Sequence, residues 1–205
     1  MVMISVVIPS YGDAEWLHLS RDRAYPSVLI QDKCEVVMHH EQDGTRASSL
    51  NNGANRTTGE WIVFLDADDE FAPGYVGAMR RALEQNNSDG TRVLFTPAVQ
   101  QIRRGRPRKP FFFPECDFTT GNWIVIGTMI NRKFFTELGG FRDHPHGLED
   151  WNMWARAVRA GATVRKVPDA VYRAHVNPKS KHHELARDRP AYSLAYEAAR
   201  KDAWG

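Results

Sequence analysis

The chain has 205 residues, 42% of them hydrophobic, which suits one α/β domain with a full core and a small appendage rather than two domains. Charged residues make up 25%, yet the formal net charge is only +2, which excludes a chain-wide electrostatic nucleic-acid binder. Two cysteines, Cys34 and Cys116, exclude a disulfide framework and a zinc-site spacing, and read as buried free thiols in a reducing compartment.

Met1 to Pro9 is apolar without a basic leader, and Ser10, Gly12 and Asp13 interrupt it, so it reads as a first strand around Ser5–Ile8 rather than a signal peptide. Residues 14–30 read as a helix that Pro26 must break or restart. Glu35 to His40 is a second strand. After a turn at Gly44, Ala47 to Thr57 is a helix that Gly59 closes. Trp61 to Leu65 is a third strand, and Pro73 opens a helix ending at Asn87-Ser88-Asp89-Gly90. This alternation predicts parallel strands joined by right-handed crossovers.

The second half is less regular. Arg92 to Gln101 reads as a strand, Thr128 to Asn131 as a short one, and Arg132 to Leu138 as a short helix. Glu149 to Ala160 is an amphipathic helix with Trp151, Trp154 and Val158 at helical spacing. Val164–Val167 and Val171–His175 read as two strands, and Arg189 to Trp204 as a terminal helix. No apolar run approaches the roughly 20 residues needed to span a bilayer, so a cytoplasmic protein with no transmembrane segment is expected.

The most telling stretch is Trp61-Ile-Val-Phe-Leu-Asp-Ala-Asp-Asp69. A buried strand that ends in carboxylates places Asp66 and Asp68 at the carboxyl rim of the sheet, where open α/β sheets bind ligands. Alternation along an extended chain would put both on one side, where they repel unless a cation lies between them. A hard divalent ion carrying substrate phosphates is the natural candidate. Asp69 and Glu70 also read as caps of the following helix. Two further polar clusters stand out: Glu149-Asp150 before Trp151, and Tyr172-Arg173-Ala174-His175.

With these segments the chain resembles the nucleotide-sugar glycosyltransferases of family 2, which have the GT-A fold. The resemblance rests on Ser5-Val-Val-Ile-Pro-Ser-Tyr11, Asn51-Asn-Gly-Ala54, Gly59-Glu-Trp61, Phe64-Leu-Asp-Ala-Asp-Asp69, Leu138-Gly-Gly-Phe141, Glu149-Asp-Trp-Asn-Met-Trp154 and Tyr172-Arg-Ala-His175, in the family's order. It implies a single Rossmann-like domain over residues 1–176, with a mostly parallel sheet flanked by helices and a smaller acceptor-side sheet. The donor half would span about residues 1–100 and the acceptor half about 101–176, with a lid or helical tail over 177–205. That tail would pack on the domain, close over the donor with Lys179 and Lys181, or pair two copies as a homodimer.

The resemblance also implies roles. Asp68 and His175 would ligate Mn2+ or Mg2+, with Asp66 on the donor ribose or near the metal. Pro9, Tyr11, Glu41, Arg46, Asn51, Asp66, Ala67, Asp68 and Arg173 would line the nucleotide sugar, with Tyr11 stacked on the base and Arg173 paired with the diphosphate. Asp150 would be the general base of an inverting transfer of a hexose to an acceptor hydroxyl, with Glu149 beside it. Capping of the helix by these two acids is compatible with that role. Where family members carry paired aspartates that read uracil, this chain has His39-His40-Glu41-Gln42-Asp43, so UDP is favoured by default, with GDP or a deoxythymidine diphosphate as alternatives.

Trp123 and Trp151 are candidates for the acceptor side, where an indole face would stack on a sugar, or else pack in the core. Arg103-Arg-Gly-Arg-Pro-Arg-Lys109 reads as a solvated loop, or as a contact for an anionic acceptor: glycan, protein or nucleic acid. Two other classes were weighed. A nucleotidyltransferase needs a Gly-rich phosphate loop with Lys or Arg after the first strand, which Pro9-Ser-Tyr-Gly-Asp-Ala14 lacks. A non-catalytic nucleotide-sugar-binding or partner-binding module would have less reason to keep Asp66, Asp68, Asp150 and His175 together.

Overall fold

The computed structural model describes residues 2–86, 90–144, 147–176 and 188–205. The first strand, β1 (Ile4–Tyr11), is buried from Ile4 to Ser10 because parallel partners flank it on both edges. On one side runs β2 (Glu35–Glu41), with Val6 opposite Val36. On the other runs β3 (Trp61–Phe64), with Val6 opposite Val63.

Between β1 and β2 lie α1 (Ala14–Leu19), one π-helical turn (Ser20–Ala24) and α2 (Tyr25–Leu29). The chain keeps winding through Pro26, whose missing amide cannot close a normal helical bond, so the preceding turn widens. Helix α3 (Arg46–Asn55) follows β2. Thr45 and Ser48 cap it reciprocally, each side chain meeting the other's amide. It lies tight on β1, since a Cβ on Gly53 would come within 2.6 Å of Val7 Cγ1.

Beyond β3 the acidic segment turns into β4 (Glu70–Phe71), then α4 (Tyr75–Glu84). The expected cap at Asp69-Glu70 is therefore not formed. Glu70 and Phe71 pair with a strand, and the helix starts after Gly74, whose φ of 82° ends the extended segment. A second sheet has the order β4-β8-β5-β6, from β5 (Val93–Arg103), β6 (Arg106–Pro107) and β8 (Thr163–His175). The two short strands expected at 164–175 are one strand. Its register shifts where Val167 and Val171 face the consecutive residues Pro97 and Ala98, and Pro168, with no amide to donate, sits in the bulge.

Strand β7 (Ile130–Asn131) runs antiparallel to β3, and Met129 bridges to Phe95, so this segment joins the two sheets. Helices α5 (Arg132–Glu137) and α6 (Glu149–Arg159) follow. The last helix, α7 (Arg189–Trp204), packs on α6 with Ala195, Ala199 and Ala203 buried, spaced one turn apart. The tail thus docks on the domain. The lid expected over residues 177–187 lies outside the described residues.

Strand β5 runs across residue 100, and β4 pairs with β8, so the segments before and after that residue interleave. Two expectations are corrected. Cys116 is exposed and Cys34 only half-buried, because both lie in connecting loops rather than core elements. Arg104 and Gly105 form a two-residue hairpin turn rather than an irregular loop. Among the described residues no helix is long and apolar enough to cross a membrane.

Candidate functional site

The acidic segment leaves the first sheet at Leu65, whose amide still bonds Val7 O at 2.9 Å. It then turns back, closed by the Asp69 amide on Asp66 O at 3.1 Å. The proximity of the acids is thus a property of a turn, not of strand alternation. The three side chains have different fates. Asp69 is buried and fastened to β8: its carboxylate accepts the Tyr172 hydroxyl at 2.7 Å and the His175 amide at 2.7 Å. Burial, then the charges of Asp68 and Asp66, raise its pKa well above the usual carboxylate range. The Tyr172 hydroxyl also accepts the Asp66 amide at 3.3 Å, so one phenol holds both ends of the turn.

Asp66 faces Arg46, the first residue of α3, whose Nη2 meets both carboxylate oxygens at 3.0 and 3.1 Å. No side chain among the described residues bonds the Asp68 carboxylate, although Arg23 donates to its backbone oxygen at 2.8 Å. Burial and the neighbouring charge of Asp66 push the Asp68 carboxyl up to about 6.

Arg46 also joins this turn to the second acidic cluster. Its Nη1 lies 3.5 Å from Glu149 Oε2. Burial opposes the Arg46 cation, but Asp66, Glu149 and Asp150 together outweigh it and hold it firmly charged. Glu149 and Asp150 open α6, where the exposed amides and helix dipole favour negative charge. Neither acid caps the helix, whose N-cap is Leu148; Asp150 Oδ1 accepts the amide of the next residue, Trp151, at 2.8 Å, and among the described residues no bond engages its second oxygen. Leu148, at φ 73°, turns the chain into this helix.

The first loop supplies buried Pro9 and Ser10 and a half-buried Tyr11 at the end of β1. Glu41, expected on the nucleotide, is already occupied. Ser48, Asn52 and His39 donate to its two oxygens, and although what burial it has opposes ionisation, these bonds bring its pKa down to about 2. Asn51 is likewise committed: its amide and carbonyl bond Phe141 O at 2.9 Å and Phe141 N at 2.8 Å. Glu41 thus ties β2 to α3, and Asn51 ties α3 to the backbone of Phe141, bonds that sequence spacing does not show because most of the partners lie on other elements.

Arg173 Nε bonds Gln100 Oε1 at 3.1 Å, and the His175 ring meets Glu70 Oε2 at 2.5 Å. Trp151 is buried, its indole N–H on Phe118 O at 3.0 Å and its ring stacked on Tyr196 with centroids 4.6 Å apart. Trp123 is also buried, against Phe118 and with Lys166 Nζ 5.4 Å over its ring. Neither tryptophan offers a bare face to a sugar; both shore up the wall behind α6. Arg23 carries no signal in the sequence, Glu70 reads there only as a cap, and Tyr172 stands out without the role its hydroxyl takes in the turn. Period-2 alternation along β8 sets Tyr172 on the face opposite Arg173.

Among the described residues no group of three His, Cys, Asp or Glu side chains converges as a ready-made metal cage. The donor chemistry nevertheless fits a cation shared with a phosphate ligand. Asp68 is an oxygen donor with no side-chain partner, crowded by Asp66, and a hard divalent ion relieves that repulsion. His175 would first have to give up Glu70.

The model of the family described as glycosyl transferase family 2 matches residues 23–140, more than half of the chain. An uncharacterized glycosyltransferase of Bacillus subtilis, YwdF, is 27% identical over 153 residues, covering 71% of this chain and 54% of that protein. One of Haemophilus influenzae is 26% identical over 178 residues, covering 73% of this chain and 60% of the other. The chain thus spans little more than half the length of the curated relatives it matches. Among solved structures, residues 1–349 of S. aureus TarS in complex with UDP-GlcNAc superpose with a TM-score of 0.66 at 14% identity, covering 87% of this chain and 60% of that one. At that identity the likeness establishes the fold, a GT-A-like mixed sheet flanked by helices.

Proposed function

The chain belongs to glycosyl transferase family 2, and from that premise we propose that it moves a hexose from a nucleotide sugar, a UDP-sugar by preference, to an acceptor hydroxyl with inversion. The observation that carries the reading is Arg46: one guanidinium contacts Asp66 at the sheet rim and Glu149 at the start of α6, so the two acidic clusters share one site. In TarS the corresponding fold is described with UDP and with UDP-GlcNAc, which supports the same ligand class here.

In this reading Asp68 and Asp66 would hold Mn2+ or Mg2+, and His175 would complete the set. The bound cation supplies Lewis-acid stabilisation of the departing nucleoside diphosphate. Pro9, Tyr11, Ala67 and Arg173 line the donor. Arg46, at the same rim, would offer its fork to phosphate oxygens of the donor. Asp150 takes the proton of the attacking hydroxyl through the carboxylate oxygen that the Trp151 amide leaves free.

The test is a panel of nucleotide sugars with Mn2+ or Mg2+, scored for thermal stabilisation and slow donor hydrolysis. A donor at a hundred times its Kd adds about 2.7 kcal/mol, a rise of about 5–10 °C in Tm for a chain of this size. No rise with any nucleotide sugar, with or without metal, removes the reading. Asp150→Asn is expected to lower transfer by about 10²–10⁴-fold while leaving donor stabilisation in place. Retention of the full rate would displace Asp150 as base.

A further inference from the structure

We propose that the β5–β6 hairpin docks the acceptor, and that this acceptor is a glycan carrying phosphates along its chain; the inference rests on the transfer reaction above. Arg103, Arg104, Arg106, Arg108 and Lys109 are all exposed, and among the described residues none of them pairs with a carboxylate. Other exposed arginines do find one: Arg142 meets Asp202 at 2.7 Å and Arg200 meets Glu197 at 3.1 Å. Since the whole chain carries only +2, these five cations stand against a remainder that is net negative. The charge is concentrated here, not spread.

Folding gains nothing from this concentration. Arg103 sits directly opposite Arg106 in the ladder, a like-charge pair that weakens a hairpin. Arg104 adopts φ 51° in the turn, where Gly or Asn is cheaper. The hairpin is firmly mounted all the same. Gln100 Nε2 donates to Arg108 O at 2.9 Å and Gln100 Oε1 accepts from Arg173, while Val99 and Phe111 exchange bonds of 2.8 and 2.9 Å.

Its root lies at the site. Ile102 is the register partner of His175, the Val176 amide donates to Ile102 O at 3.0 Å, and the His175 amide grips Asp69. The cationic run therefore begins one residue beyond the strand position that pairs with the anchor of the acidic turn. A chain bound along it ends at the sugar-transfer rim. Arginine forks suit phosphate oxygens. Residues 103–110 contain no aromatic and no large aliphatic side chain, and of the phenylalanines that follow, Phe111 is bridged to Val99 and packs on Phe113 while Phe112 lies under Lys166, so the cations themselves dominate the hairpin's surface.

The test compares the full chain with a variant carrying Arg104→Asn, Arg106→Gln and Arg108→Gln. Binding to phosphomannan, neutral mannan, a dT oligonucleotide and phosphatidylglycerol vesicles is measured against salt. The wild type is expected to prefer phosphomannan to mannan by at least about tenfold at low salt, and the variant to lose that preference and flatten the log–log salt slope by about two units. Donor-induced stabilisation should be the same in both proteins, and a variant Tm without ligand at or slightly above that of the wild type reports an intact fold, since the substitutions relieve the Arg103–Arg106 repulsion and the cost of Arg104 in the turn. Unchanged phosphomannan binding in the variant, or tighter wild-type binding to mannan, oligonucleotide or vesicles, overturns the docking role alone. Failure of any donor to stabilise the wild type overturns the transfer reading instead.

Discussion

Tyr172→Phe isolates the single hydroxyl that pins the acidic turn. The ring is expected to stay in place, since it is buried, packs on Phe71 and lies so close to Gly127 that a Cβ there would come within 2.3 Å of it. Two contacts are lost. Losing the donation leaves a buried Asp69 oxygen without that partner, at about 1–3 kcal/mol, and the Asp66 amide loses a long, weaker acceptor at about 0.5–1 kcal/mol. Asp69 can answer by holding a proton to still higher pH, which recovers part of the cost, so a net loss of about 2 kcal/mol is expected, or about 4–8 °C in Tm. Urea unfolding at pH 7 gives the free energy directly, and the midpoint should fall without a change in slope. Donor and metal stabilisation should weaken as well, because the turn that presents Asp66 and Asp68 is no longer held to β8. A midpoint shift corresponding to less than about 0.5 kcal/mol, within the scatter of surface substitutions, would refute the anchoring argument.

Asp68→Asn should raise the stability of the ligand-free protein at pH 7 by about 1–2 kcal/mol, because a carboxyl pushed up to about 6 is ionised there against burial and Asp66, while metal-dependent donor stabilisation disappears; a destabilised variant would contradict this. Glu41 gives a pH signature of known sign. Its folded value of about 2 lies below the ordinary 4.5, so its contribution is complete above pH 4.5 and is lost as the pH falls toward 2; Glu41→Gln should flatten the stability profile across that window, and an unchanged acid slope would count against the bonding described.

The sequence by itself determined what depends on neighbours a few residues apart. The apolar runs of β1 and β3, the spacing of α6 and the abrupt change from Leu65 to Asp66 are local patterns, and each appears in the structure as read. Family membership was legible for the same reason, since its motifs are short contiguous segments. Tertiary structure alone decided which acids are free to act. Asp69 is fastened by Tyr172 and His175 more than a hundred residues away, Glu41 by Ser48 and Asn52, and Asn51 by Phe141, so three polar residues that look available in one dimension are spent in three. Arg46 shows the converse: a residue expected only to line the donor becomes the link between Asp66 and Glu149 because the fold, not the chain order, sets the distances over which charges act.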